Sequence, residues 1–304
     1  MKTPRFYLYS VLIVVCIIWG GAFPAIKYLL SFLSPLQLVK FRYIIAVPFF
    51  VVILFIKDKI TIREIITRYP LALLIASLFG VIGYNLALAY GETEIPSGIA
   101  SLIINLSPIF TLILSLMFLK ERITISMILG MAISFSGLFI LVRRGASDNG
   151  ANTNYYLYAL ITALAPLSWA IYTIASKKLT ERFDAFTITG LTIIIGTLPL
   201  FFTLGSKDFT AAKSMNATAW IVLLYLSIAS TSLGYTVWVI ALRALPSGKV
   251  ASFVYTIPVF SVIIGRIFLG ELITIHIIFG AALLLIGVYV VNRAKTKKKS
   301  GNSE

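Results

Sequence analysis

Ten long apolar runs follow one another along the chain, each ended by charge, proline or a cluster of polar residues. They fall near 7–30, 36–56, 70–90, 97–118, 126–142, 156–176, 186–204, 219–242, 248–268 and 276–292. A helix crossing the hydrocarbon core of a bilayer needs about 20 mostly apolar residues, so the pattern predicts an all-α integral membrane protein with ten transmembrane helices. The connections are short and leave no room for a separate soluble domain. Lys2 and Arg5 precede the first run, no small-residue cleavage site follows it, and apolar helical sequence continues past Pro24. The run therefore reads as a retained span rather than a removed signal peptide.

Composition agrees and narrows the class. Of 304 residues, 59% are hydrophobic and 12% charged, against about 25% charged in a typical soluble domain. The net charge of +15 comes from 26 Lys and Arg against 11 Asp and Glu, and its placement explains it. With the N-terminus cytoplasmic, seventeen basic residues fall in cytoplasmic segments and four (Arg143, Arg144, Lys207, Lys213) in external loops. Retention of positive charge on the cytoplasmic side then puts both termini inside. Topology and anionic lipid account for the basic excess, which excludes nucleic acid as a partner. One cysteine (Cys16) and one histidine (His276) exclude an intrachain disulfide and any multi-His or Cys-based metal site. No cofactor is expected.

The sequence matches itself at an offset of 150 residues. Pro96-Ser97-Gly98 aligns with Pro246-Ser247-Gly248, and Phe118-Leu119-x-Glu121 with Phe268-Leu269-x-Glu271. Gly130 and Gly137 align with Gly280 and Gly287, Trp19 with Trp169, and Lys27 with Lys177. Residues 96–143 and 246–293 share 17 identities in 48 positions without a gap. A one-residue slip in the third span brings Gly83-Tyr84 onto Gly234-Tyr235. Two halves result, 1–150 and 151–304, the second ending in a cytoplasmic basic tail. Five spans per half is an odd number, so the second half inserts upside down relative to the first. Inverted-topology repeats are the architecture of alternating-access transporters, with the cargo held near the midplane between halves.

Trp19-Gly-Gly-x-Phe-Pro-x-x-Lys27, Phe41-Arg42, the two Pro-Ser-Gly segments, Ser107-Pro108 and the Leu-x-Glu signatures followed by paired glycines resemble the EamA-type members of the drug/metabolite transporter superfamily. The resemblance runs over about 10–292. It implies ten helices, an inner-membrane location and, in many members, export of amino acids or related metabolites. The second half departs from the first at Ala170-Ile171, opposite Gly20-Gly21, and at Thr192, opposite Arg42.

Ionisable groups inside a bilayer are costly and usually functional. All 11 acids lie in loops or at span ends, so no mid-depth carboxylate is available. Facilitated diffusion, exchange or coupling through interfacial groups is expected, with transport driven by the substrate gradient alone. Glu92, Glu94 and Glu271 are the first acids to examine should it depend on a proton gradient. Lys27 and Arg42 sit about two turns into the first and second spans; they either attract an anion at the external gate or snorkel to the interface. Glu121 and Glu271 suit the dipole of the helices that follow them. The uncharged candidates for substrate binding lie on helical stripes. They are Ser101 and Asn105 on the fourth span, Tyr255 on the ninth, Thr231, Tyr235 and Trp238 on the eighth, and Tyr84 and Asn85 on the third. Trp19, Trp169 and Tyr172 offer aromatic walls. These stripes either line a cavity or bond neighbouring helices. Pro108 and Pro258 are expected to kink the fourth and ninth spans, either as rocking points or as static bends. The paired glycines predict close helix packing, within one chain or between protomers, which leaves monomer and homodimer both open.

The resulting expectation is an inner-membrane secondary transporter of small organic metabolites, exporting amino acids or related compounds by alternating access. Its partners would be the substrate and membrane lipid. A multidrug exporter is the alternative within transport, although a cation site would want a buried acid. A non-transporting lipid-binding or interaction protein is the alternative from another class. An intramembrane enzyme lacks a catalytic constellation.

Overall fold

Apolar segments of this length satisfy their backbone hydrogen bonds within one helix, and helices are the only regular elements among the described residues. The structure, a computed structural model, describes residues 5–55, 59–119, 124–148, 154–180, 182–244 and 253–293. The first half contains α1 (Arg5–Leu29), α2 (Pro35–Phe55), α3 (Lys59–Arg68), α4 (Pro70–Ser77), α5 (Tyr84–Glu94), α6 (Ser97–Ile104), α7 (Ser107–Leu119) and α8 (Ile125–Asp148). The second contains α9 (Asn154–Thr180), α10 (Ala185–Phe202), α11 (Ser206–Ser214), α12 (Ala217–Leu224), α13 (Gly234–Ala244), α14 (Ile257–Leu269) and α15 (Ile275–Arg293).

Seven helical stretches among the described residues are long and apolar enough to cross a membrane. The shorter apolar helices, Ser97–Thr111, Ile257–Leu269 and Ile275–Val290, occupy the places of the predicted fourth, ninth and tenth spans. The outer faces carry bare hydrocarbon: Phe55, Ile125, Phe202 and Phe268 are each more than three-quarters exposed. Such a surface suits lipid, not water. The connections are less bare than expected, because α3 and α11 add helices of ten and nine residues to two of them.

Two irregularities recur. Leu78–Gly83 and Tyr225–Leu233 form wide π-helical turns that join α4 to α5 and α12 to α13. The first ends at Gly83, just before Tyr84, and the second at Leu233, just before Gly234-Tyr235, close to the positions paired by the one-residue slip. The fourth and ninth segments are likewise interrupted at Asn105–Leu106 and at Tyr255–Thr256. This corrects the expectation for the prolines. Pro108 and Pro258 do not kink continuous helices; each sits in the first turn of the helix after the break, where no intrahelical N–H bond is lost.

Packing joins the halves rather than separating them. α1 packs on α13 and α14, α9 on α5, α6 and α7, α2 on α10, and α8 on α15. In the last contact the paired glycines pack against one another within one chain. A methyl group at Gly137 would stand 2.5 Å from the Leu284 backbone nitrogen, and one at Gly280 would stand 2.8 Å from Leu141 Cγ. Gly20 serves α1 in the same way, since its Cβ would meet Phe260 Cβ of α14 at 2.5 Å. The Pro246-Ser247-Gly248 segment and Glu121 lie outside the described residues.

Candidate functional site

The wide turns leave backbone carbonyls without their usual helical donors, and polar side chains four or five residues along take them. Asn85 Nδ2 donates to Gly80 O at 3.2 Å and Val81 O at 3.0 Å. In the other half, Thr231 Oγ1 donates to Leu226 O and Ser232 Oγ to Ser227 O, both at 2.9 Å. Asn85 Nδ2 also donates to Tyr43 Oη at 2.7 Å. The remaining acceptor capacity of Asn85 and Thr231 converges on one cation. Arg42 Nε donates to Thr231 Oγ1 at 2.8 Å, Nη1 to Asn85 Oδ1 at 3.1 Å and Nη2 to Ser230 Oγ at 3.3 Å. Arg42 is 4% exposed. All three of these acceptors are neutral, and among the described residues no carboxylate lies within ion-pair distance of the guanidinium.

Arg42 faces a cavity with about 580 Å³ of empty space, its open mouth included. Aromatic rings form much of the wall. Trp19 contacts Trp169, Tyr235 and Trp238 at centroid distances of 6.2, 6.1 and 5.2 Å, and Trp169 contacts Tyr84 at 5.2 Å and Tyr172 at 5.1 Å. Trp19 Nε1 donates to Ser230 O at 2.9 Å, which fixes its ring. Trp19, half-buried with its N–H satisfied and with Trp169 and Tyr235 edge-on to it, makes a rigid apolar wall.

Of the residues predicted from stripes, Trp19, Arg42, Tyr84, Trp169 and Tyr235 line the cavity. Asn85 and Thr231 stand behind it and hold Arg42. Tyr172 and Trp238 back the aromatic wall. Ser101 and Asn105 turn inward on their own helix, Ser101 Oγ donating to Gly98 O at 2.7 Å and Asn105 Nδ2 to Ser101 O at 2.9 Å. Tyr255 and Asn105 mark the two helix breaks, and their neighbours Val254, Ile257, Ile104 and Ser107 reach the wall instead. Sequence reasoning passed over Ser230, Ser107 and Tyr43. Tyr43 had a signal in its place beside Arg42, and Ser230 one in its place beside Thr231.

Lys27 neither snorkels nor points into the cavity. Its ammonium donates to Glu92 O at 2.6 Å, Thr93 O at 3.1 Å and Ile95 O at 3.3 Å, so it caps the carbonyl end of α5, where the helix dipole favours a cation. Glu271 does not serve the helix that follows it. Its carboxylate accepts from Ser97 N at 2.6 Å and Gly98 N at 3.1 Å, capping α6 in the other half. Gly265 makes room for it, since a Cβ there would meet Glu271 Oε2 at 2.7 Å. Both caps close on the single corner at Ile95-Pro96. Charge-assisted bonds of this kind contribute about 1.5–3 kcal/mol, so Glu271→Ala and Gly265→Ala should each lower the thermal unfolding midpoint in detergent. A Gly265→Ala midpoint equal to that of the parent would remove Glu271 from the cap.

A buried ion pair also escaped sequence reasoning. Lys40 Nζ lies 3.0 Å from Asp208 Oδ2 and donates to Thr203 O at 2.6 Å. Asp208 also accepts from Gly205 N at 2.8 Å and thereby caps α11. Burial favours the protonated form of Asp208, but the Gly205 N–H, the Lys40 ammonium and Gln37 outweigh it and hold the carboxyl below the usual carboxylate range. Glu92 sits near the C-terminal end of α5 yet is withdrawn from solvent. It is 0% exposed, and among the described residues neither carboxylate oxygen has a hydrogen-bond partner.

The model of the EamA-like transporter family matches this chain twice, over residues 7–143 and 156–293. An uncharacterized transporter of Archaeoglobus fulgidus is 35% identical over 91% of this chain and 95% of its own length. A probable terminal-alkyne amino-acid exporter of Streptantibioticus cattleyicolor is 26% identical over 93% and 92%. A probable amino-acid metabolite efflux pump of Salmonella typhimurium is 26% identical over 91% and 92%. With two family matches covering both halves, and apolar helices built around a polar-centred cavity, the chain belongs to the EamA-like transporter family and is a multi-pass membrane transporter, not an enzyme.

Proposed function

We propose that this protein is an inner-membrane carrier that exports a small carboxylate-bearing metabolite, an amino acid or close relative, by alternating access. The observation that carries the reading is Arg42. A guanidinium taken out of water costs several kcal/mol unless it is paired, and here its polar partners are neutral. A carboxylate in the cavity would complete it with two parallel charge-assisted bonds. The rings of Trp19, Tyr84, Trp169 and Tyr235 would then receive an apolar side chain. A cavity wall that carries a cation and no acid is poorly suited to a cationic drug. The amino-acid names of two relatives point the same way.

In this reading the fourth, ninth and tenth segments also cross the bilayer. The halves 1–150 and 151–304 are inverted five-helix repeats, and Trp19, Tyr84, Arg42, Trp169 and Tyr235 meet the cargo. The reciprocal packing of α1 on α13 and α14, and of α9 on α5, α6 and α7, supports a two-fold relation between halves. The 17:4 distribution of basic residues supports cytoplasmic termini. The test of topology is a cysteine at Ser147, which should react with an impermeant reagent from outside, while one at Thr61 should not; the reverse pattern would sink the ten-span arrangement.

The test of function is flux from proteoliposomes loaded with radiolabelled leucine. Leucine should leave faster than from protein-free vesicles, and leucinamide, which lacks the carboxylate, should neither leave nor compete. Export of leucinamide in preference to leucine would turn the reading toward a cation exporter.

A further inference from the structure

Tyr84, Leu88 and Glu92 follow one another at four-residue intervals on α5, which places them on one helix face. Tyr84 and Leu88 line the cavity. Glu92 is therefore the next residue outward on the cavity face, one helical turn, or about 5.4 Å, beyond the last lining residue. It is fully buried, and among the described residues neither carboxylate oxygen has a hydrogen-bond partner.

The surrounding charges do not pair with it. Lys27 on α1 uses its three ammonium donors on the carbonyls of Glu92, Thr93 and Ile95. Glu271 is committed to the amides of Ser97 and Gly98, and α6 carries no ionisable side chain. Arg42 on α2 is held by Thr231, Asn85 and Ser230. On α5 itself, Glu94 is exposed. α9 runs antiparallel alongside, with Trp169 against Tyr84 and Thr162 against Gly91, so its tyrosines Tyr155 and Tyr158 are its titratable groups toward that end. An ionised carboxylate taken out of water without a partner is strongly disfavoured, and a group so placed takes up a proton instead.

We propose that Glu92 is a proton-binding site of the transport cycle, loaded from the external side and required for closure of the outer end. The inference rests on the carrier reading above. When the corner at Ile95-Pro96 opens, the carboxylate is hydrated and Lys27 leaves the three carbonyls. One proton from external water converts carboxylate to carboxylic acid, and the neutral acid is buried as the corner closes. When the cavity opens to the cytoplasm, water reaches one turn further along α5. The acid returns its proton to that side and regains its charge. One proton thus enters for each cycle in which cargo leaves.

The experiment combines a spectroscopic and a flux measurement on the purified full chain. At neutral pH the infrared spectrum should contain the carbonyl stretch of a buried protonated carboxylic acid, shifted in heavy water and missing from Glu92→Gln. In proteoliposomes loaded with radiolabelled leucine, acidifying the outside should accelerate leucine efflux several-fold. That acceleration should survive Glu94→Gln and disappear in Glu92→Gln. A wild-type spectrum without the band overturns the proposal, as does a pH response that persists in Glu92→Gln. If Glu92→Gln fails to fold, the wild-type band and its heavy-water shift still decide. If leucine does not move in the wild type, the carrier reading fails on its own while the band still reports on the proton site.

Discussion

Arg42→Gln is expected to weaken binding of leucine about 10- to 100-fold while leaving the protein folded. The arithmetic follows from the charge. Hydrogen bonds to a charged group contribute about 1.5–3 kcal/mol, and each 1.4 kcal/mol is about tenfold in affinity. Glutamine removes the positive charge and the forked donors but keeps an amide that can reach Asn85 or Thr231. Loss of an unpaired buried charge also relieves desolvation, so the melting temperature should hold or rise. Arg42→Lys keeps the charge without the planar fork and should fall between the two. Calorimetric titration with leucine, run beside a melting curve, separates the possibilities. Should Arg42→Gln bind leucine like the parent, the cargo carboxylate sits elsewhere and the cavity assignment is wrong.

The second large effect concerns stability. Asp208→Ala leaves Lys40 buried and unpaired, and breaking one side of a buried ion pair costs about 3–5 kcal/mol. The loss should be read first as faster hydrogen exchange over Ser206–Ser214, the helix that Asp208 caps and pins to α2. Replacing both partners by apolar residues, Lys40→Met with Asp208→Leu, should restore much of the protection, because neither charge is then stranded. The pH dependence has a defined sign. Asp208 is held below the usual carboxylate range, so its contribution is fully present above the unfolded value of about 3.9. It is lost as pH falls through the lower folded value. In Asp208→Ala this acid-side loss should vanish; an unchanged acid limb would assign it to other carboxylates.

The repeat and the helical class were legible because both depend on local pattern. Apolar runs of membrane length need no partner to be recognised, and Pro, Gly and Glu recurring at a fixed offset survive any uncertainty about packing. The site was legible in part. Trp19, Tyr84, Trp169 and Tyr235 announced themselves as large aromatic residues on stripes, and Arg42 as a charge inside a span. Asn105 and Ser101 lay on an equally good stripe, yet their bonds are within α6. Periodicity fixes which residues share a face, not what that face meets.

By itself, the order of residues determined the helices, their repeat and the membrane as their solvent, since hydrophobic length and glycine spacing are properties of the chain. Tertiary structure decided the partners of the polar groups. Lys27 caps α5 across 65 residues of sequence, Glu271 caps α6 across 174, and Asp208 holds Lys40 across 168. Only the packed chain shows that, among the described residues, Arg42 has no carboxylate beside it and the Glu92 carboxylate no hydrogen-bond partner. The physical reason is that the cost of a buried charge depends on its surroundings, and those surroundings come from segments that the sequence places far apart.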